Sequence, residues 1–97
     1  MRQGTPNERA ARIARVAAAH GVHAKETLLV DNECASAVVW FDETVNVLLD
    51  DGAVCGDEYC VRREGSWIES YGEPMAAFLK VRELLQKQEQ ALPKEET

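Results

Sequence analysis

The spacing of apolar residues changes twice along the chain, from helical to alternating and back to helical. Between residues 6 and 21, Ala10, Ile13, Ala14, Ala17 and His20 recur three or four positions apart, while Arg9, Arg12 and Arg15 fall on the opposite part of the helical wheel. Thr5-Pro6-Asn7-Glu8 supplies a helix start: a capping Thr, Pro at the first helical position, and Glu three residues after the cap to close a capping box. Gly21 offers the stop. A stripe built mostly of alanines buries little area but lets another element approach the backbone closely.

The period then shortens. Ala37–Phe41, Thr44–Leu49, Tyr59–Arg63 and Ser66–Ser70 are rich in β-branched and aromatic residues, and the breaks between them are turn material: Asp42-Glu43, Asp50-Asp51-Gly52, Gly56-Asp57 and Glu64-Gly65. Residues 24–36 fit either a second helix or a strand, because a short apolar run such as Leu28-Leu29-Val30 suits both. Gly72-Glu73-Pro74 opens a last helix whose apolar face runs through Met75, Phe78, Leu79, Val81, Leu85 and Leu92, and a frayed tail is expected over 93–97. The expected fold is a single α+β domain over residues 1–92: an N-terminal helix, an antiparallel β-meander of three or four strands, and a C-terminal helix packed on the sheet.

Length and composition narrow the kind of function. Ninety-seven residues, 45% hydrophobic and 29% charged, suit one globular domain. At this size folding buries about 60–70% of the chain's surface, so a shallow surface site is expected rather than a deep cavity. No secretory signal or membrane-spanning stretch is present in the sequence, and three cysteines, Cys34, Cys55 and Cys60, form an odd set that suits reduced thiols. A cytoplasmic protein without membrane contact is the expectation.

Charge changes the picture more than composition does. The net charge of −6 conceals +4 over residues 1–25, −10 over 26–73 and zero over 74–97. A middle segment so acidic repels a phosphate backbone and attracts a basic surface, which disfavours direct nucleic-acid binding.

Cys55-Gly56-Asp57-Glu58-Tyr59-Cys60 has a spacing unlike that of structural zinc sites, and its second ligand pair would be His20 and His23 at a helix end. The cysteines therefore read as small apolar side chains, with Asp57 and Glu58 disfavouring a reactive thiolate. Residues 17–28, with Gly21 at the turn, resemble in spacing a helix-turn-helix unit, but Glu26, Asp31 and Glu33 would face the phosphates. Paired acids at Asp50-Asp51 and Asp57-Glu58 sit in turn sequences without EF-hand spacing, and no phosphate loop, nucleophile elbow or zinc-protease motif occurs. No cofactor, no metal and no catalytic residue is expected.

Trp40, Phe41, Tyr59, Trp67 and Tyr71 read as sheet residues, and Trp67, among charged neighbours just after a turn, reads as an interface anchor. The resulting expectation is a non-enzymatic protein that docks on a basic, nucleic-acid-handling protein through Asp42, Glu43, Asp50, Asp51, Asp57, Glu58, Trp67 and Glu69. In size, acidity and want of catalytic residues the chain resembles the small inhibitors that phages and mobile elements encode against host nucleases, anti-CRISPR proteins among them. That resemblance implies a nucleic-acid mimic. The competing expectation is a structural or regulatory homodimer through the C-terminal helix, whose apolar arc from Leu84 through Phe78 to Leu79 exceeds what a small sheet must cover.

Overall fold

A computed structural model describes residues 5–30, 36–49 and 59–96, with side chains through Lys87. Helix α1 spans Pro6–Ala19, and its capping box is complete: the Glu8 N–H donates to Thr5 Oγ1 at 3.1 Å and the Thr5 N–H donates to Glu8 Oε1 at 2.9 Å. At the other end Gly21, at φ 83°, turns the chain so that its N–H reaches the Ala18 carbonyl and the Val22 N–H reaches that of Ala17. The segment that follows is a strand. β1 (Glu26–Leu28) leads a five-stranded antiparallel meander with β2 (Ala37–Trp40), β3 (Val45–Leu49), β4 (Tyr59–Arg63) and β5 (Ser66–Tyr71) in sequential order. The meander thus gains a fifth strand from the segment whose sequence fits both states, and the helix-turn-helix spacing resolves into helix, turn and strand. Asn7 contributes to that outcome by accepting the Val30 N–H at 2.7 Å, which ties the exit of β1 to the first turn of α1.

Helix α2 (Pro74–Glu96) returns beside α1, and its helical span runs past Leu92, where the sequence pattern ends. Both helices cover one face of the sheet. Ala10, Ile13 and Ala17 of α1 and Ala77, Phe78, Val81 and Leu84 of α2 meet Ala37, Val39, Val45, Val47, Leu49, Tyr59 and Val61, the alternate residues of β2, β3 and β4. Each fully buried Val, Ile, Leu or Phe side chain of this set contributes about 1.5–3 kcal/mol, and each Ala less.

Arg9, expected on the part of the helical wheel opposite the apolar stripe, is instead fully buried. Arg9, Arg12 and Arg15 advance three residues at a time, so the row drifts around α1: Arg9 lies one turn before Ile13 at the edge of the buried stripe, whereas Arg15 is exposed. Arg12, between them, donates from Nη1 to Tyr59 Oη at 3.1 Å.

Candidate functional site

The β2–β3 turn carries the first two acids expected at a binding site, and they have different surroundings. Asp42 folds its carboxylate back onto the turn, with Oδ1 accepting the Thr44 N–H at 2.7 Å, the Thr44 hydroxyl at 3.1 Å and the Val45 N–H at 2.7 Å. Its side chain therefore shapes the hairpin. Glu43, at the tip, is exposed and pairs loosely with Lys25 at 3.5 Å. The β4–β5 turn lies beside it at the same end of the sheet, where the Glu64 N–H donates to the Thr44 carbonyl at 2.7 Å. Glu64 and Gly65 both have positive φ, 54° and 81°, as a two-residue type I′ hairpin requires.

A bulge separates Trp67 from Glu69. Arg62 pairs with Trp67 and Val61 with Glu69, so two residues of β4 face three of β5 and Ile68 is the extra one. Trp67 consequently shares the outward face with Arg62, whereas Glu69 falls on the helix side. There Glu69 lies near Tyr71 and Lys80: burial first and then the Glu69 charge push the Tyr71 phenol above its ordinary value, with Lys80 opposing them. Lys80 itself donates to Glu83 at 2.7 Å. Trp67 is 64% exposed, and its indole N–H is held by Ser70 Oγ at 3.1 Å.

Asp50, Asp51, Asp57 and Glu58 lie outside the described residues, as do Cys34 and Cys55, but the chain around them is informative. The residues with described side chains hold eight carboxylates against nine Lys and Arg, so the protein's acidity resides elsewhere in the sequence. Segments 31–35 and 50–58 together contain six carboxylates and no base: Asp31, Glu33, Asp50, Asp51, Asp57 and Glu58. The first joins β1 to β2 and the second joins β3 to β4. Because Leu28 pairs with Val38, Ala37 with Leu49, and Tyr59 with Tyr71, both segments leave and rejoin the sheet at one end, opposite the 41–44 and 64–65 turns. A five-residue strand separates the two ends by about 16 Å. Trp67 and Glu43 thus stand at the far end from the attachment points of these six acids.

Sequence reading missed a second feature, a row of side chains crossing the outward face. The register aligns Glu26, Trp40, Asn46, Arg62 and Trp67 side by side, one from each strand, and Leu28, Val38, Leu48, Cys60 and Ser70 form the next row. The described core residues of both helices pack on the opposite face, yet Asn46 and Cys60 are buried on this one as well. Arg62 Nε donates to Asn46 Oδ1 at 3.0 Å, and Asn46 is fully buried with no partner for Nδ2 among the described residues. Period-two alternation in the strands carries the signal for this row, but only the register brings the five residues together.

Other expectations meet specific geometry. His20 stacks on Phe78 with ring centroids 5.3 Å apart, and Arg82 lies 5.5 Å over the same ring. Among the described residues no three His, Cys, Asp or Glu side chains converge on a metal position, and Cys60 is a buried free thiol. The apolar arc of α2 is largely spent on the core: Phe78, Val81 and Leu84 are buried, leaving Met75 and Leu79 at 41% and 46% exposure. Among the described residues no helix is long and apolar enough to cross a membrane. Compared with protein-family models, curated proteins and solved structures, the chain matches none.

Proposed function

We propose that this is a non-catalytic binding protein whose acidic connections dock on a basic surface of a protein partner, in competition with that partner's nucleic acid. The observation that carries the reading is the segregation of charge. A near-neutral described body holds, at one end of its sheet, the strand ends that flank two segments whose charged residues are all acids, six carboxylates in sum. Fields of this kind raise association rates with oppositely charged surfaces and weaken with salt. Asp50, Asp51, Asp57 and Glu58 belong to this set, Asp31 and Glu33 join it, and Asp42 leaves it because its carboxylate is engaged in its own turn. Glu43, Trp67 and Glu69 lie away from it and play at most a peripheral part in this docking.

The test is affinity capture from the lysate of the native cell with the wild type and with a variant in which all six acids are replaced by amides. The reading expects a nucleic-acid-handling protein on the wild type, released by added DNA or RNA, and its loss from the amide variant. Equal recovery on both proteins refutes it.

A further inference from the structure

We infer that helix α1 is a positioning element for the acidic end of the protein: Asn7 and Arg12 each hold one flank of an acid-bearing segment and so lengthen the life of a docked complex. This role rests on the proposed docking and falls to residues that carry no carboxylate.

Asn7 lies in the first turn of α1, inside the completed Thr5–Glu8 cap, and its Oδ1 accepts the Val30 N–H at 2.7 Å. The ladder of β1 ends at Leu28, opposite Val38, and Leu28 and Leu29 are 49% and 51% exposed. Val30 is the next fixed point, with its N–H held by Asn7 and its side chain packed against the core. Asp31 follows it directly in the chain, one Cα step of about 3.8 Å away.

About 7.5 Å further along the α1 axis, Arg12 Nη1 donates to Tyr59 Oη at 3.1 Å. Tyr59 is fully buried and opens β4, and Glu58 directly precedes it. The two bonds span 23 and 47 positions of sequence, yet both start from one helix and both end on a residue that adjoins an acidic segment. The helix itself is fixed on the sheet through Ala10, Ile13 and Ala17.

Charge and position act on different steps of docking. Steering toward a basic surface follows the summed charge over a Debye length of about 8–10 Å, so it tolerates small displacements of a carboxylate. The docked geometry does not tolerate them. Each residue that docking must order costs conformational entropy, and a flank already fixed in the free protein removes part of that cost. The association rate therefore belongs to the six acids, and the lifetime of the complex to Asn7 and Arg12.

The test follows Asn7→Ala and Tyr59→Phe in two measurements. In the free protein, amide hydrogen exchange at Leu29 and Val30 should quicken about tenfold in N7A while Val47 and Val61 keep their rates. Asn7→Asp, which retains the accepting oxygen, should restore slow exchange. On the partner recovered by affinity capture, N7A and Y59F should each dissociate about three- to tenfold faster at an unchanged association rate, and N7D should dissociate like the wild type. Asp42→Ala, at the opposite end of the sheet, should leave dissociation unchanged, which separates positioning from general stability. Unchanged Val30 exchange in N7A overturns the inference. A D42A complex as short-lived as that of N7A also overturns it, as does a loss confined to the association rate. Recovery of no partner on the wild type refutes the proposed docking, whereas exchange at Val30 still decides whether α1 holds the exit of β1.

Discussion

Replacing Asp42 by Ala separates a turn-forming carboxylate from a partner-binding one. Asp42 Oδ1 accepts two backbone N–H groups at 2.7 Å and one hydroxyl at 3.1 Å, all from the residues that close the β2–β3 hairpin. A hydrogen bond to a charged acceptor contributes about 1.5–3 kcal/mol when buried. Asp42 is half-buried and water replaces part of what is lost, so the whole cluster is worth about 1.5–2 kcal/mol, close to the upper range for a helix N-cap. For a domain of about 100 residues this lowers Tm by about 6–15 °C. Asp42→Asn keeps the accepting oxygen and should stay within about 0.5 kcal/mol of the wild type. Thermal unfolding followed by circular dichroism measures both variants, with partner capture run in parallel. Should D42A unfold with the wild type, or D42N fall as far as D42A, the turn argument fails; unchanged stability with weakened capture would return Asp42 to the binding surface.

Three other outcomes follow from the packing. Phe78→Ala should cost about 3–5 kcal/mol, because a fully buried ring stacked on His20 is removed, and chemical denaturation should show little folded protein at 37 °C. Tyr59→Phe removes the acceptor of Arg12 Nη1 and should cost about 1 kcal/mol in the same assay, while Arg12→Ala in the Phe background should add less than it does in the wild type. Glu8 and Glu83 are held below the ordinary carboxylate value of 4.5, Glu8 first by the Thr5 backbone N–H and Glu83 first by the Lys80 hydrogen bond. Their stabilisation is complete above 4.5 and is lost as pH falls through the lower folded values, so Glu8→Gln should make unfolding between pH 5 and 3 less pH-dependent.

Much of the fold is legible because local signals agree. Thr5 through Glu8 encode the cap they form, and the β-branched runs of β2, β3 and β4 stand between turn sequences that leave few other arrangements. Glu26–Leu28 is not legible in the same way, since three residues cannot display a period. They become a strand through pairing with Val38, Val39 and Trp40 and through the clasp between Asn7 and Val30, all nonlocal partners. The burial of Arg9 depends on the slow rotation of a three-residue repeat around α1, which a count of basic residues does not display.

The candidate site is less legible because position in space decides it. Trp67 and Glu69, two residues apart, share a face in a regular strand, and only the bulge at Ile68 parts them. The sequence displays the −10 of its middle segment, but the meander topology is needed to see that segments 31–35 and 50–58 are anchored at the same end of the sheet. Arg62 and Asn46, sixteen positions apart, acquire meaning only through the register that sets them between two tryptophans.

The most direct measurement of the proposed function is the affinity of the purified partner for this protein as a function of salt, with the wild type and the six-amide variant side by side. The expected result is a steep loss of affinity with salt for the wild type, competition by DNA or RNA, and a weak, nearly flat dependence for the variant. A salt-insensitive complex that both proteins form equally would contradict docking through the acidic end.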